Sequence, residues 1–293
     1  MPIEIAAHAG FCMGVRRAVE SAVQVADSGV PSCTLGELIH NPTVVDMLRQ
    51  RGIPPVASAE EAAGRQVLIR SHGVAPEVIK QLENAGCKVV DLTCPFVNKL
   101  HRVVAEDTGE DCPLIMVGER EHPEVKGTCG WARGKVYVVA TAEEAAQLPE
   151  MDQAAAAVQT TFPPERWEAI VAVLRGRVQH LKEHNTICNA TAVRQREAKK
   201  LAAASDAMIV VGGRTSANTH KLFEACKALC PRTILVECAA EIPPAFANIH
   251  SDKIGITAGA STPDGSLEEV ATHMTDNENM AQSSDFTMDA IVA

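Results

Sequence analysis

Three cysteines in this chain stand where metal chemistry could gather. Cys12 opens the run CMGVRRAVESAVQVAD, Cys94 opens CPFVNKLHRVVAED, and Cys188 opens CNATAVRQREAKKLAAASD. Each run reads as a helix, so each thiol meets the unpaired N–H groups and the positive dipole end of a helix start. Both favour the thiolate, the form that binds iron or zinc. A structural zinc takes four protein ligands, and no C-x2-C pair of the zinc-ribbon kind accompanies these three. Three thiolates on a [4Fe–4S] cluster leave one iron open to a substrate oxygen, whereas electron-transfer clusters use four cysteines. Spacing alone leaves three outcomes open: an iron–sulfur cluster, a zinc ion, or no metal.

The same cysteines mark a hidden repeat. They lie 82 and 94 residues apart, and 24 residues beyond each stands a glycine: Gly36, Gly118 and Gly212. At 28 residues beyond each stands a polar side chain: His40, His122 and Ser216. Each unit then runs to a second strand with a polar end, SHG with His72, QTT with Thr160 and Thr161, and GAS with Ser261. Ligands of α/β folds sit beyond the carboxyl ends of strands. His40, His122, Ser216, His72, Thr160 and Ser261 facing one centre, with the amide of Asn218, would grip a small diphosphate through charge-assisted hydrogen bonds. Helix starts after SHG, HPE and SAN would add N–H donors. Taken singly none of these residues is specific, since a serine or threonine ahead of a helix is ordinarily a cap. Glu124, two residues past His122, is placed to hand over a proton. Its plainer reading is a first-turn acid that stabilises a helix.

The elements that must position these groups alternate in kind. Apolar runs predict strands at 66–70, 88–92, 112–117, 135–139, 154–159, 207–211, 233–236 and 253–257, and helical patterns cover 14–27, 96–107, 164–181, 190–204 and 218–229. Alternation of this sort argues for α/β units on mostly parallel sheets. With the repeat, it predicts three similar α/β domains in a pseudo-threefold arrangement around the centre where the three cysteines would meet, which the resemblance given below makes a central iron–sulfur cluster: 12–93, 94–187 and 188–271, the last joined by residues 1–11. Residues 272–293 read as a flexible tail or loosely docked cover.

Composition narrows the function further. Aromatic residues make up only 3% of the 293, so the cores must be filled by Val, Ala, Leu and Ile. A net charge of −10 without a basic stripe argues against non-specific nucleic-acid binding. No apolar run reaches membrane-spanning length, and the first residues lack a secretory pattern, so the chain is expected to be cytoplasmic. In a reducing compartment most of the ten cysteines should be small buried hydrophobes, Cys87 and Cys112 among them. Neither a Walker A sequence nor a Rossmann fingerprint is present, so ATP and NAD sites are not indicated.

The blocks AGFCMGVRRAV, GELIHNPTVV, LIRSHGV, VVDLTCPFV, HPEVKGTCG, VQTTF, ICNATAVRQREA, VVGGRTSANT and GITAGASTPD occur in that order. Together they resemble the 4-hydroxy-3-methylbut-2-enyl diphosphate reductase family of the non-mevalonate isoprenoid pathway. The resemblance implies one [4Fe–4S] cluster with an open iron site, held by Cys12, Cys94 and Cys188. It implies His40, His72, His122, Thr160, Ser216, Asn218 and Ser261 as substrate-binding residues, with the backbone of Ala217 beside them. Glu124, Thr160 and His122 match the catalytic set. The implied reaction converts (E)-4-hydroxy-3-methylbut-2-enyl diphosphate to isopentenyl and dimethylallyl diphosphate, using two electrons and protons. The electrons would come from an external donor such as ferredoxin or flavodoxin, and neither nucleic acid nor membrane is an expected partner. Other readings of the residues are a different [4Fe–4S] reductase or dehydratase of a small phosphorylated alcohol, a non-catalytic metal or diphosphate sensor, and a structural zinc protein.

The chain departs from some relatives at Ala217, where they carry a second serine. One hydroxyl contact to the diphosphate is then missing, which should weaken substrate binding and leave the reaction unchanged. Ala217→Ser is expected to tighten substrate affinity, and an unaltered affinity would count against that reading.

Overall fold

The computed structural model describes residues 3–247 and 253–275. Two compact units divide the chain: Met13–Ala192, and Met1–Cys12 together with the chain from Val193 onward.

The unit Met13–Ala192 holds two parallel four-stranded sheets. Counting β1 (Ile3–Ile5) as the first strand of the chain, the first sheet is built from β2 (Ser32–Leu35), β3 (Pro55–Val56), β4 (Gln66–Ile69) and β5 (Lys88–Asp91), ordered β3-β2-β4-β5. Helices α1 (Met13–Asp27), α2 (Pro42–Gln50), α3 (Ala59–Ala62) and α4 (Pro76–Asn84) alternate with these strands. The second sheet has β6 (Leu114–Val117), β7 (Val136–Val139), β8 (Met151–Val158) and β9 (Val178–His184), ordered β7-β6-β8-β9. Its helices are α5 (Pro95–Asp107), α6 (Pro123–Cys129), α7 (Ala142–Ala146) and α8 (Pro164–Leu174).

The other unit contains β1 (Ile3–Ile5), β10 (Ala207–Val211), β11 (Thr233–Val236) and β12 (Ile254–Ala258), ordered β1-β12-β10-β11. Helix α9 (Asn189–Ala203) leads into it, and α10 (Ala217–Lys227), α11 (Pro244–Ala247) and helical residues 264–275 complete it. All ladders are parallel, and β1 occupies beside β12 the edge that β5 and β9 occupy in their sheets. The fold class expected from the alternating pattern, three similar α/β layers, is the one observed. None of the described helices is long and apolar enough to cross a membrane.

The central strands of each sheet are buried on both faces, which is why they read as continuous apolar runs. In β6, Ile115 and Val117 face a core completed by Phe162, Trp167, Ile170 and Leu174. The alternate residues Leu114 and Met116 face Leu100 and Val104 of α5 and Val125 of α6. In the other unit, Ile209, Ile254 and Ile256 pack with Val270 and Met274, while Met208 and Val210 meet Leu201 and Leu222. Residues 272–275, expected in the tail, therefore continue a docked helix; residues 276–293 lie outside the described residues.

Short elements such as β2, β3, α2 and α4 have no counterpart among the ranges read from the sequence, and one predicted element changes type part-way. The helix expected over 164–181 ends at Leu174, and Val178–His184 forms a strand along β8. Gly176 and Arg177 close the helix with short-range bonds to Val173 and Leu174 carbonyls. The strand's charged edge residues, VQHLKEH, gave no continuous apolar run and so escaped notice.

The glycines of the repeat share one position and one hydrogen bond. Gly36, Gly118 and Gly212 each follow the last residue of β2, β6 or β10 directly. Their amides donate to Val56, Val139 and Val236 at 2.8, 2.9 and 2.9 Å. At Gly212 a Cβ would lie 2.7 Å from Thr262 Oγ1 and 2.8 Å from Thr219 Oγ1, and the backbone φ is +150°. Gly212→Ala should therefore lower stability by about 1–3 kcal/mol, as overpacking in a close-packed interior does. Thermal unfolding checks this, and an unchanged midpoint would show that the threonines yield freely.

Candidate active site

In Met13–Ala192 the ends of two sheets bring three imidazoles together. His40 precedes the Asn41 N-cap of α2, His72 follows β4, and His122 is the N-cap of α6. The ring centroids of His40 and His72 lie 4.5 Å apart, those of His72 and His122 5.5 Å, and those of His40 and His122 5.9 Å. Their ligand atoms fall within 4.8 Å of one another, close enough to hold a cation as well as an anion.

Tautomers separate those possibilities. The Glu124 amide donates to His122 Nδ1 at 3.1 Å, as an N-cap acceptor should receive it. With Nδ1 accepting, the ring proton of a neutral His122 sits on Nε2, which then donates. A donor nitrogen suits a phosphate oxygen and opposes a metal. Burial, then His40, His122 and Arg70, hold the His72 imidazole well below its usual range. The buried Nδ1 of His72 and Nε of Arg70 have no hydrogen-bond partner among the described residues, which suits a pocket completed by a ligand.

Glu124 follows on the first turn of α6 and is only 2% exposed. Its carboxylate accepts twice from one residue: from the Thr160 amide at 2.6 Å and from Thr160 Oγ1 at 2.8 Å. Glu124 is a first-turn acid of α6, as its plainer reading has it, and its burial and two bonds to Thr160 add to that role. Thr160 lies two residues beyond β8, and its carbonyl accepts from the Cys188 amide at 2.9 Å.

The other two candidate cysteines are tied down in the same way. Cys94 donates its amide to Ser71 at 3.0 Å, and Cys12, within its own unit, donates to Ala260 at 3.1 Å. Cys94 is the N-cap of α5 with no side-chain cap bond, and a Cβ on Gly14 would lie 2.5 Å from its Sγ. The glycine thus keeps clear the space beside that sulfur. Cys12, Cys94 and Cys188 are each partly exposed at a helix start, which fits thiolate ligands of an iron–sulfur cluster. By contrast, burial raises the thiols of Cys33, Cys112 and Cys129, and pushes Cys226 to about 12. Those four stay protonated and suit packing.

In the second unit, Ser216 caps α10 by accepting from the Thr219 amide at 3.3 Å, and its Oγ lies 3.5 Å from Ser261 Oγ. Asn218 stands on the first turn of α10, its buried Nδ2 without a hydrogen-bond partner among the described residues. Ala217 is the first residue of the same helix.

The register corrects one part of the repeat. His72 and Ser261 are the third residues beyond β4 and β12, and the third beyond β8 is Thr161. The turn bonds agree: Gly73 to Arg70, Phe162 to Gln159 and Thr262 to Gly259. Thr161 is therefore the counterpart of His72 and Ser261, while Thr160 serves Glu124. Two adjacent threonines gave no signal by which to choose. Gln159 secures this loop, accepting from the Glu119 amide and donating to Thr161 Oγ1, both at 3.1 Å.

A family model described as LytB protein matches residues 3–275. A 4-hydroxy-3-methylbut-2-enyl diphosphate reductase of Geobacter sp. (strain M21) is 44% identical over 271 residues, 92% of this chain and 95% of that protein. The enzyme of the same name from Aquifex aeolicus is 42% identical over 277 residues, covering 93% and 95%. A solved structure of (E)-4-hydroxy-3-methyl-but-2-enyl diphosphate reductase, the terminal enzyme of the non-mevalonate pathway, is 40% identical. It aligns with a TM-score of 0.71 over 94% of this chain and 100% of that one. The E-1-hydroxy-2-methyl-but-2-enyl-4-diphosphate reductase from Plasmodium falciparum is 25% identical, with a TM-score of 0.84 over 92% and 87%.

Near the imidazoles, burial lowers His101 from 6.5 to about 4, against the opposing pull of Asp91. Between those values the unfolded chain binds the proton that the folded chain refuses. This group's contribution to stability is complete above about pH 6.5 and is lost as pH falls toward 4, by up to ~3 kcal/mol. Thermal melts across that range should show the decline and His101→Phe should flatten it; parallel curves would remove His101 as the source.

Proposed function

The chain belongs to the LytB protein family and is an oxidoreductase that reductively removes the hydroxyl of (E)-4-hydroxy-3-methylbut-2-enyl diphosphate, and we propose which of its residues carry that reaction. The products are isopentenyl diphosphate and dimethylallyl diphosphate. The observation that carries the assignment of roles is the double hydrogen bond from Thr160 to the buried Glu124, beside three clustered imidazoles.

Cys12, Cys94 and Cys188 are the ligands of a [4Fe–4S] cluster. When bound, the cluster supplies two electrons, one at a time, and Lewis acidity at its open iron. An external donor such as ferredoxin or flavodoxin replenishes the electrons. His40, His72 and His122 grip the diphosphate, joined by Ser216, Asn218 and Ser261, with Thr161 at the position equivalent to Ser261. The Nε2–H of His122 donates to a phosphate oxygen while its Nδ1 holds the Glu124 amide, so one ring couples substrate binding to the placement of the acid. The Ala217 amide stands in for the absent serine hydroxyl.

Thr160 Oγ1 donates to the ionised Glu124 at Oε2. Once Oε2 is protonated the hydroxyl turns, accepts from Oε2, takes that proton and releases its own to the departing oxygen. The C–O bond breaks and water leaves. Two electrons and a second proton complete the reduction. The second proton reaches either end of the allylic fragment, which gives two products from one substrate.

Glu124→Gln keeps a hydrogen-bonding side chain and cannot supply the proton, so it should retain iron and lose turnover by ~100-fold or more. Full activity in that variant would remove Glu124 as the donor. Serine at Cys12, Cys94 or Cys188 should instead lower iron and sulfide content, quantified anaerobically. His40→Ala should weaken diphosphate binding by about 1–3 kcal/mol, the cost of losing one buried charge-assisted bond.

A further inference from the structure

Within Met13–Ala192, the loop that carries His72 is held from two sides by groups that take no part in the chemistry above. Gly73 has a φ of +70°, and a Cβ there would lie 2.5 Å from Cε1 of His101 and 3.1 Å from Cγ2 of Thr93. His101, on α5, is 3% exposed and stacks on Trp131, with centroids 5.1 Å apart and planes at 19°. Trp131 Nε1 in turn donates to the Val74 carbonyl at 3.0 Å. From the other side, a Cβ on Gly127 would lie 3.3 Å from Gly73 O and Val74 Cα. A Cβ on Gly130 would lie 2.3 Å from Ala75 Cβ. The loop following His72 and the helix carrying Glu124 thus meet backbone to backbone, along a seam closed by one stacked ring pair.

We propose that His101 and Trp131 are positioning residues for substrate binding. Their stack presses residues 73–75 onto α6 and so sets His72 against His122. The proposal rests on the reading of the three imidazoles as the diphosphate grip. The buried Nε2 of His101 has no hydrogen-bond partner among the described residues, so on the side facing Gly73 the ring contributes shape and stacking. An apolar ring of similar shape should serve as well. A ring that is missing should loosen the grip on substrate without touching the acid or the thiolates.

The test compares KM, kcat, iron content and melting temperature in His101→Ala, His101→Phe and Trp131→Phe. His101→Ala is expected to raise KM about tenfold with kcat and iron retained, the signature of lost uniform binding. His101→Phe should restore the KM of the unaltered protein. Trp131→Phe keeps a ring and loses the bond to Val74, and should raise KM about threefold. If His101→Ala fails to fold, Trp131→Phe decides alone. Unchanged KM in the variants that fold, or kcat and iron falling together, overturns the proposal. The same variants are compared for inorganic diphosphate affinity by calorimetry. An unaltered, iron-replete protein that binds inorganic diphosphate but turns over no substrate would defeat the assigned substrate, while the variants' affinities would still decide the seam.

Discussion

The amide of each candidate cysteine donates to a carbonyl in the loop that leaves a sheet's second central strand. Cys12 donates to Ala260, Cys94 to Ser71 and Cys188 to Thr160. Amides at a helix start have no partner within the helix, so these bonds satisfy donors that would otherwise be stranded. They also fix where each thiol begins relative to the polar residue next along that loop: Ser261, His72 or Thr161. A cysteine and its neighbouring polar group are thereby placed by one short bond, repeated three times. The strand order, the helix starts and the glycines after β2, β6 and β10 all serve to bring those two segments within reach.

Small side chains make that reach accurate. The middle of β8 is a run of four alanines, all buried, and Gly14, Gly127 and Gly130 admit neighbours where a Cβ would collide. With so few aromatic rings in the chain, those present have specific places. Phe162 and Trp167 fill the core beneath the end of β8, and Trp131 braces a loop. Interiors packed this closely transmit displacement, so a loop shifted at Gly73 would be felt at its neighbour His72.

Much of this architecture could be read in the residues beforehand, for a physical reason. Strands buried on both faces, such as Ala207–Val211, show as unbroken apolar runs, and a repeated spacing from Cys to Gly exposes a repeated unit even when little else is conserved between copies. Val178–His184 was hidden because this edge strand is largely exposed and its less exposed residues, Val178, Leu181 and His184, recur every third position, as on a helix. The pairing of Glu124 with Thr160 had no local signal either, because 36 residues separate them and the pairing of β6 with β8 brings their loops side by side. The choice between Thr160 and Thr161 needed the ladder, since one residue of register exchanges the side chain facing the loop for its neighbour. His101 and Trp131 lie in ordinary helical and loop sequence, and nothing in their spacing marks a stacked pair.

The place of β1 beside β12 has a bearing on how the protein is made. Ile3–Ile5 pairs with Ile254–Ile256, so β1 has no lateral partner until β12 has been synthesised. The two sheets between Ser32 and His184 draw all their strands from a continuous stretch and can assemble as it appears. Nascent chains generally fold domain by domain from the N-terminal side. Here the segment leading to Cys12 must wait, and its loop is fastened only after the last sheet forms, which makes completion of that corner a late event in the life of each molecule.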